Sequence, residues 1–286
     1  MPSLIDLRRR IRSVRSTQQI TKAMKMVSAA RLRRAQDRVI SARPYSATLR
    51  QLMSHLAALA ASDERIGAHP LLAQREEKRI QLLVLTSDRG LAGAFNSNLI
   101  KAAQRFVEEH SPASVEFELI GRKGCEFFRK ARVPITGEHI GVLTRVDYRY
   151  AASVGQKIAD RFAADEIDAA YLLNNEFKSV VAQKLTIARL LPITVEPTEP
   201  QARYIFEQPP AQILAKLLPR YVETEVYRAM LETAASEHAA RMTAMDAATS
   251  NAAEMIDKLT LYMNRVRQAS ITKEIIEVVS GAAGLE

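Results

Sequence analysis

The sequence has little of what most sites are built from. Its 286 residues hold one cysteine, no tryptophan and 6% aromatics. A single Cys125 excludes an intrachain disulfide or a dithiol switch and fits a reducing compartment. The five histidines, His55, His69, His110, His139 and His238, sit in unrelated settings, so no metal-ligand spacing emerges. No apolar run has the length of a membrane span. The opening MPSLIDLRRRIRSV lacks the apolar core of a signal peptide. It is Arg-rich, as transit peptides are, but Asp6 and a continuing heptad-like pattern assign it to a first helix. Acids are scarce at that end: residues 1–50 contain thirteen Lys/Arg against Asp6 and Asp37 alone. The net charge is +9, so the rest of the chain is slightly acidic. Such a stretch is either a solvated helix face or the footprint of an acidic partner: nucleic acid, anionic lipid or an acidic protein surface. Its density favours a partner.

Helix breakers are scarce at both ends. From Pro210 to Glu286 the only internal proline is Pro219, and no glycine precedes Gly281. One helix of that length would run over about 100 Å, far beyond the needs of a compact domain. Positions 245, 249, 252, 256, 259, 263, 266 and 270 keep strict heptad spacing with Met, Thr, Ala, Ile, Leu, Met, Val and Ser. That is a coiled-coil seam. Residues 3 to about 60 read as a second long helix. Its stripe is Leu4, Leu7, Ile11 and Val14, resuming at Ile20, Met24, Val27, Leu32, Ala35 and Val39, with a weak centre where Thr17, Gln18 and Thr21 interrupt it. Pro44 would bend or interrupt it. Asp63 to Pro70 is a polar break.

Between the two helices the pattern alternates strand and helix, which argues for a mainly parallel α/β layer. Strands are expected at Arg79–Ser87, Ser114–Gly121, Val133–Ile135, Ile167–Phe177 and Val180–Ile193, the last two forming an edge hairpin around Lys178-Ser179. Helices are expected at Ala92–His110, Lys123–Ala131 and Asp147–Ala164. Pro192, Pro197, Pro200, Pro209 and Pro210 then mark a linker. The fold class is therefore α/β: an antiparallel coiled coil of long N- and C-terminal helices plus a Rossmann-like domain with a mainly parallel sheet. Its parts are 1–62, 63–208 and 209–286. The longer C-terminal helix should outrun its partner from about Ile271. There Ile271, Ile275, Ile276, Val278 and Val279 form a broad apolar face that calls for an apolar sleeve from another protein.

Candidate chemistry is thin. The turn SDRGLAGAFN has Gly90 and Gly93 but neither a dinucleotide fingerprint nor a P-loop. Asp88 and Arg89 read as a salt-bridged turn capping the next helix. Gly121-Arg122-Lys123-Gly124 would suit phosphate, but a strand-to-helix turn explains it as well. No Ser/His/Asp or Cys/His grouping has supporting context. Glu274 and Glu277 lie on a lone helix without a pocket. We expect no catalysis by this chain, and no cofactor or metal.

TQQITKAMKMVSAARLRRAQ, SDRGLAGAFN and RQASITKEIIEVVSGAA together resemble the gamma subunit family of the F-type ATP synthases, in order and spacing, over essentially the whole chain. Gly284 departs slightly from the pattern. The resemblance implies a non-catalytic rotor shaft coupling proton flow to ATP synthesis or hydrolysis. The shaft would turn inside the alpha and beta subunits, and the α/β foot would sit on the epsilon subunit and the c ring. It places Met24, Lys25, Arg31, Arg33 and Arg34 against the acidic lever of beta. Arg241, Arg267, Gln268, Thr272 and Glu274 fall where the family hydrogen-bonds beta loops or supports the shaft, and Glu207 falls where it touches the c ring. It also implies a peripheral protein on the cytoplasmic side of a bacterial inner membrane, with no nucleic acid and no direct small-molecule substrate. The competing reading is a nucleic-acid or anionic-surface binder using the Arg-rich helix, and a nucleotide-dependent enzyme on the α/β layer is a third.

Overall fold

The computed structural model describes residues 3–59, 69–194 and 207–283. Most of the expected Asp63–Pro70 break, the linker prolines Pro197 and Pro200, and Gly284 lie outside the described residues. Two long helices, α1 (Leu4–Leu59) and α5 (Pro210–Ala283), flank a five-stranded sheet in the sequence. The chain divides into two compact units, one of residues 29–241 and one of residues 1–28 with 242–286.

The larger unit carries the sheet. Its strands are β1 (Arg79–Leu85), β2 (Ser114–Ile120), β3 (Ile135–His139), β4 (Ala169–Phe177) and β5 (Gln183–Leu191), and they lie in the order β3-β2-β1-β4-β5. All neighbours are parallel except the β4–β5 hairpin. Helices α2 (Phe95–Glu109), α3 (Arg122–Ala131) and α4 (Tyr148–Ala163) connect them. β1 is central and buried along six of its seven residues, as expected of a parallel strand covered on both faces. Ile80, Leu82 and Val84 pack with Phe95, Leu99 and Phe106 of α2 and Phe128 of α3.

Several element ends shift by a few residues from the sequence pattern, and two of the shifts have a clear local cause. The third strand starts at Ile135 rather than Val133, because Pro134 cannot donate to a ladder; its carbonyl accepts from Phe117 N instead (2.9 Å). The hairpin turn has five residues, not two. Ser179 and Ala182 close it through Ser179 N to Ala182 O (2.9 Å) and Ala182 N to Ser179 Oγ (3.0 Å), which keeps Val180 and Val181 out of the strand.

Within this unit α1 and α5 run antiparallel and dock on the carboxyl edge of the sheet. Arg43 of α1 binds the Glu232 carboxylate (3.2 Å) and the Phe177 carbonyl (2.7 Å), while Phe177 N donates to the same carboxylate (2.8 Å). Arg50 and Glu225 form a second rung (3.0 Å). Ser236 Oγ donates to Asn175 O. Where α4 crosses α5, a Cβ on Gly155 would lie 3.1 Å from the Glu223 Cα, so only glycine permits this approach without adjustment. Pro44 does not end α1; it sits on the exposed face, where solvent can serve the carbonyl it leaves unpaired.

The smaller unit is a helix pair. On α1 the shielded positions are Leu4, Leu7, Ile11, Val14, Gln18, Thr21, Lys25 and Ser28, a regular 3-4 alternation, with Met24 also half-shielded. This corrects the stripe inferred from the sequence: Ile20 and Val27 are 58% and 52% exposed. The weak polar centre is the seam itself. Thr21 Oγ1 lies 2.8 Å from Thr249 Oγ1 and donates to the Gln18 carbonyl (3.0 Å), so the seam hydroxyls satisfy one another. On α5 all eight expected heptad positions from Met245 to Ser270 are shielded, whereas every described side chain from Ile271 to Ser280 is exposed.

A buried polar cluster joins β2, β3 and α4. The Glu118 carboxylate is fully buried and accepts from His139 Nε2 (2.7 Å), Thr136 Oγ1 (2.7 Å), Lys157 Nζ (3.0 Å) and Gln81 Nε2 (3.1 Å). Gly137 is required beside it, because a Cβ there would meet the carboxylate at 2.2 Å. Burial alone would push the Glu118 carboxyl up, but bonds from His139, Thr136 and Lys157 and the Lys157 charge outweigh it and hold it down to about 2. A depressed folded value means stability that is complete above the ordinary carboxylate range and is lost as pH falls toward about 2. Glu118→Gln should therefore destabilise the sheet unit at pH 7 by on the order of 2–3 kcal/mol. It should also flatten the pH dependence between about 4.5 and 2. Urea unfolding at neutral and acid pH checks this, and equal losses at both would refute it.

Candidate partner-contact surfaces

In a doubly wound sheet, ligands enter the crevice at the carboxyl ends of the strands. Here the chain's own side chains fill that edge. Thr86 follows β1 and is fully buried, its hydroxyl donating to the carbonyls of Ile120 (3.1 Å) or Gly121 (3.2 Å) and accepting from Gly124 N (2.9 Å). Gly121 has φ of 100°, and a Cβ there would stand 2.1 Å from the Thr86 carbonyl oxygen. The glycines of Gly121-Arg122-Lys123-Gly124 thus serve close packing on Thr86. The Asp88 carboxylate occupies the N-terminus of α3, accepting from Arg122 N (3.0 Å) and from Gly141 N (3.0 Å). Asp88 therefore caps α3 rather than the helix that follows it in sequence, which corrects the expected cap. The helix that follows in sequence, α2, has no side-chain cap; Asn96 in its first turn instead ties back to the loop, its carboxamide oxygen accepting from Ser87 N (2.9 Å).

From α5, Arg241 closes the same edge. It is 6% exposed, donates to the carbonyls of Arg89 and Gly90 (3.2 Å each), and pairs with Glu237 (2.7 Å). The next residue, Leu91, has φ of 62°, a left-handed conformation that bulky side chains disfavour by about 1–3 kcal/mol. The grip of Arg241 on the two preceding carbonyls holds that strained turn. Burial raises the Glu237 carboxyl against the opposing pull of Arg241. Burial, with the charges of Arg241 and Arg31, lowers the His238 imidazole to about 4, so it is neutral at physiological pH.

The residues singled out by resemblance scatter. Met24 and Lys25 lie half-buried on the helix pair, and Lys25 pairs with Asp246 (2.5 Å). Arg267, Gln268, Thr272 and Glu274 are exposed near the end of α5. Thr272 donates to the Gln268 carbonyl (2.9 Å) and Ser270 to Glu274 (3.2 Å). Arg31, Arg33 and Arg34 are exposed on α1, and Arg31 and Arg34 share a cavity with Arg241. Glu207 is exposed just before α5. Arg38, Arg89, Arg145 and His238 line the same cavity as Arg31 and were not singled out; their convergence from four segments leaves no local pattern to read.

Cys125 is buried, and burial, then the Glu138 charge, pushes its thiol up, away from reactivity. Among the described residues no three acidic, His or Cys side chains are placed to hold a metal. No helix among them is long and apolar enough to cross a membrane.

Within the larger unit the fold is a doubly wound type of sheet whose carboxyl edge is closed by stretches of two long helices. The chain matches the family described as ATP synthase over residues 3–285. It is 66% identical over 286 residues, 100% of both chains, to the ATP synthase gamma chain of Solibacter usitatus (strain Ellin6076). It is 50% identical over 291 residues, again 100% of both, to that of Anaeromyxobacter sp. (strain K). The rotor of the Euglena gracilis mitochondrial ATP synthase has a similar fold, with a TM-score of 0.67 at 20% identity over 94% of this chain and 98% of that one. The chain belongs to the ATP synthase gamma chain family.

Arg241→Ala removes the brace on the Arg89–Gly90 turn and leaves Glu237 buried without its cation. We expect a loss on the order of 3 kcal/mol in denaturant unfolding, whereas Arg267→Ala, on an exposed face, should leave the midpoint unchanged. An Arg241→Ala protein as stable as wild type would refute the bracing role.

Proposed function

We propose that this chain is the central rotor shaft of an F-type ATP synthase, coupling proton flow through a membrane sector to ATP synthesis or hydrolysis in a ring of alpha and beta subunits. The observation that carries the reading beyond family membership is the end of α5. Ile271, Ile275, Ile276, Val278 and Val279 are between 49% and 73% exposed. About thirteen residues, or roughly 20 Å of helix, extend past the last seam position. Apolar surface of that extent on one helix needs cover, and a surrounding ring of subunits supplies it. A rotating asymmetric shaft then contacts each beta conformer with a different energy at each angle, which shifts their populations. The chemistry of ATP belongs to those subunits.

The contact residues follow from this assignment. Arg31, Arg33 and Arg34, with Met24 and Lys25, face an acidic element of beta. Arg267, Gln268, Thr272 and Glu274 meet beta loops near the tip. Arg241 fits the shaft-supporting alternative better than direct contact, since it is buried and its Nε and Nη2 donors are used within the chain. Glu207 and the sheet domain, with its linkers (63–208), form the foot on the c ring and the epsilon subunit, and 1–62 and 209–286 form the shaft. The complex would sit at a bacterial inner membrane with this subunit peripheral on the cytoplasmic side, a reading supported by the Solibacter and Anaeromyxobacter relatives.

Deleting residues from Ile271 onward in the reconstituted synthase should lower proton-driven ATP synthesis several-fold while epsilon and the c ring still co-purify. Identical proton-coupled synthesis by enzyme with and without this chain would overturn the assignment.

A further inference from the structure

Within the sheet-bearing unit, a cavity of about 330 Å³ opens between α1, the turn after β1, the turn at Val142–Arg145 and α5. Its charge is lopsided. Arg31, Arg34, Arg38, Arg89, Arg145 and Arg241 line it, against the carboxylates of Asp88 and Glu237. Both acids are already engaged, Asp88 by the backbone donors of Arg122 and Gly141 and Glu237 by Arg241. The side chains of Arg31, Arg34, Arg38, Arg89 and Arg145 form no ion pair among the described residues. His238 also lines the cavity, and its Nδ1 is buried with no hydrogen-bond partner among the described residues.

We propose that this cavity is a binding site for a small phosphate-type anion, a role beyond torque transmission that shares Arg31 and Arg34 with the proposed beta contact. Arg31, Arg34, Arg38, Arg89 and Arg145 are exposed around the cavity, where an entering anion can share several guanidiniums at once. Planar forks approaching from several directions suit a tetrahedral oxyanion, which offers oxygens on every side. The unpaired His238 nitrogen supplies a neutral donor or acceptor in the same wall. The volume lies at the small end of ligand sites, and among the described lining residues the non-polar ones are aliphatic, Leu143, Val146 and Leu231 among them. No Phe or Tyr ring is among those residues, and the dominant feature is cationic, so the phosphate group itself is the recognised part. A bound anion would bridge α1, two turns and α5.

The test uses the purified full chain and titration calorimetry at fixed ionic strength, with inorganic phosphate, pyrophosphate, ATP and succinate in parallel. Arg38→Gln/Arg145→Gln removes two cavity arginines that have no ion pair among the described residues and avoids Arg31 and Arg34, which also belong to the proposed beta contact. Arg8→Gln/Arg12→Gln removes the same charge from exposed positions elsewhere on α1. Saturable binding of at least one of the three phosphates is expected, weakened tenfold or more by the first pair and by less than twofold by the second. A phosphate-dependent rise in melting temperature in wild type, absent from the Arg38→Gln/Arg145→Gln protein, separates loss of the site from loss of the fold. The three phosphate arms distinguish a free inorganic anion from the phosphate tail of a nucleotide. No saturable binding, equal weakening by both pairs, or succinate binding as tightly as pyrophosphate would overturn the proposal.

Discussion

The joint at Glu232 is what the larger unit depends on. One buried carboxylate receives a guanidinium from α1 and the backbone N–H that ends β4, and it does so from α5. Three segments far apart in sequence are fixed by a single side chain. A buried carboxylate is tolerated only when its lone pairs are met, so the bond set specifies one arrangement. An apolar residue at 232 would pack against many neighbours and select none. With the joint made, α5 lies across the carboxyl edge of the sheet, Ser236 and Arg241 reach the strand ends, and the usual ligand crevice closes.

That closure explains how a sheet with the strand order of a nucleotide-binding fold serves a chain for which no catalysis is proposed. Fold alone does not carry function. The strand order and parallel pairings are those of ligand-binding α/β proteins, yet the carbonyls of Arg89, Gly90 and Asn175 and the hydroxyl of Thr86 are all bonded internally. The sheet acts as a rigid base for two helices.

Much of the fold was legible because its signals are local. The heptad from Met245 to Ser270 is mostly apolar and reads directly, and β1 announces itself as RIQLLVL between turn residues. The α1 seam departs from the hydropathy stripe where close packing replaces hydrophobicity: Thr21 and Ser28 are small enough to be buried, and Thr21 pairs with Thr249, while Ile20 and Val27 face outward. Hydropathy periodicity cannot see a seam made of hydroxyls. The partner of Asp88 was missed for a different reason, since its target α3 is adjacent only through the sheet. The Glu118 cluster and the arginine-lined cavity were equally invisible, each assembled from residues tens of positions apart.

Around Thr21 the helix pair reverses the ordinary coiled-coil pattern, with a hydroxyl pair in the seam and branched hydrocarbon at Ile20 and Val27 outside. Hydrocarbon attracts without direction, so contacts made through it have no single angle at which a bond must break. The outward Ile20 and Val27 therefore fix no angle for whatever lies against them, and the inward threonine pair is the pin that keeps the two helices in register.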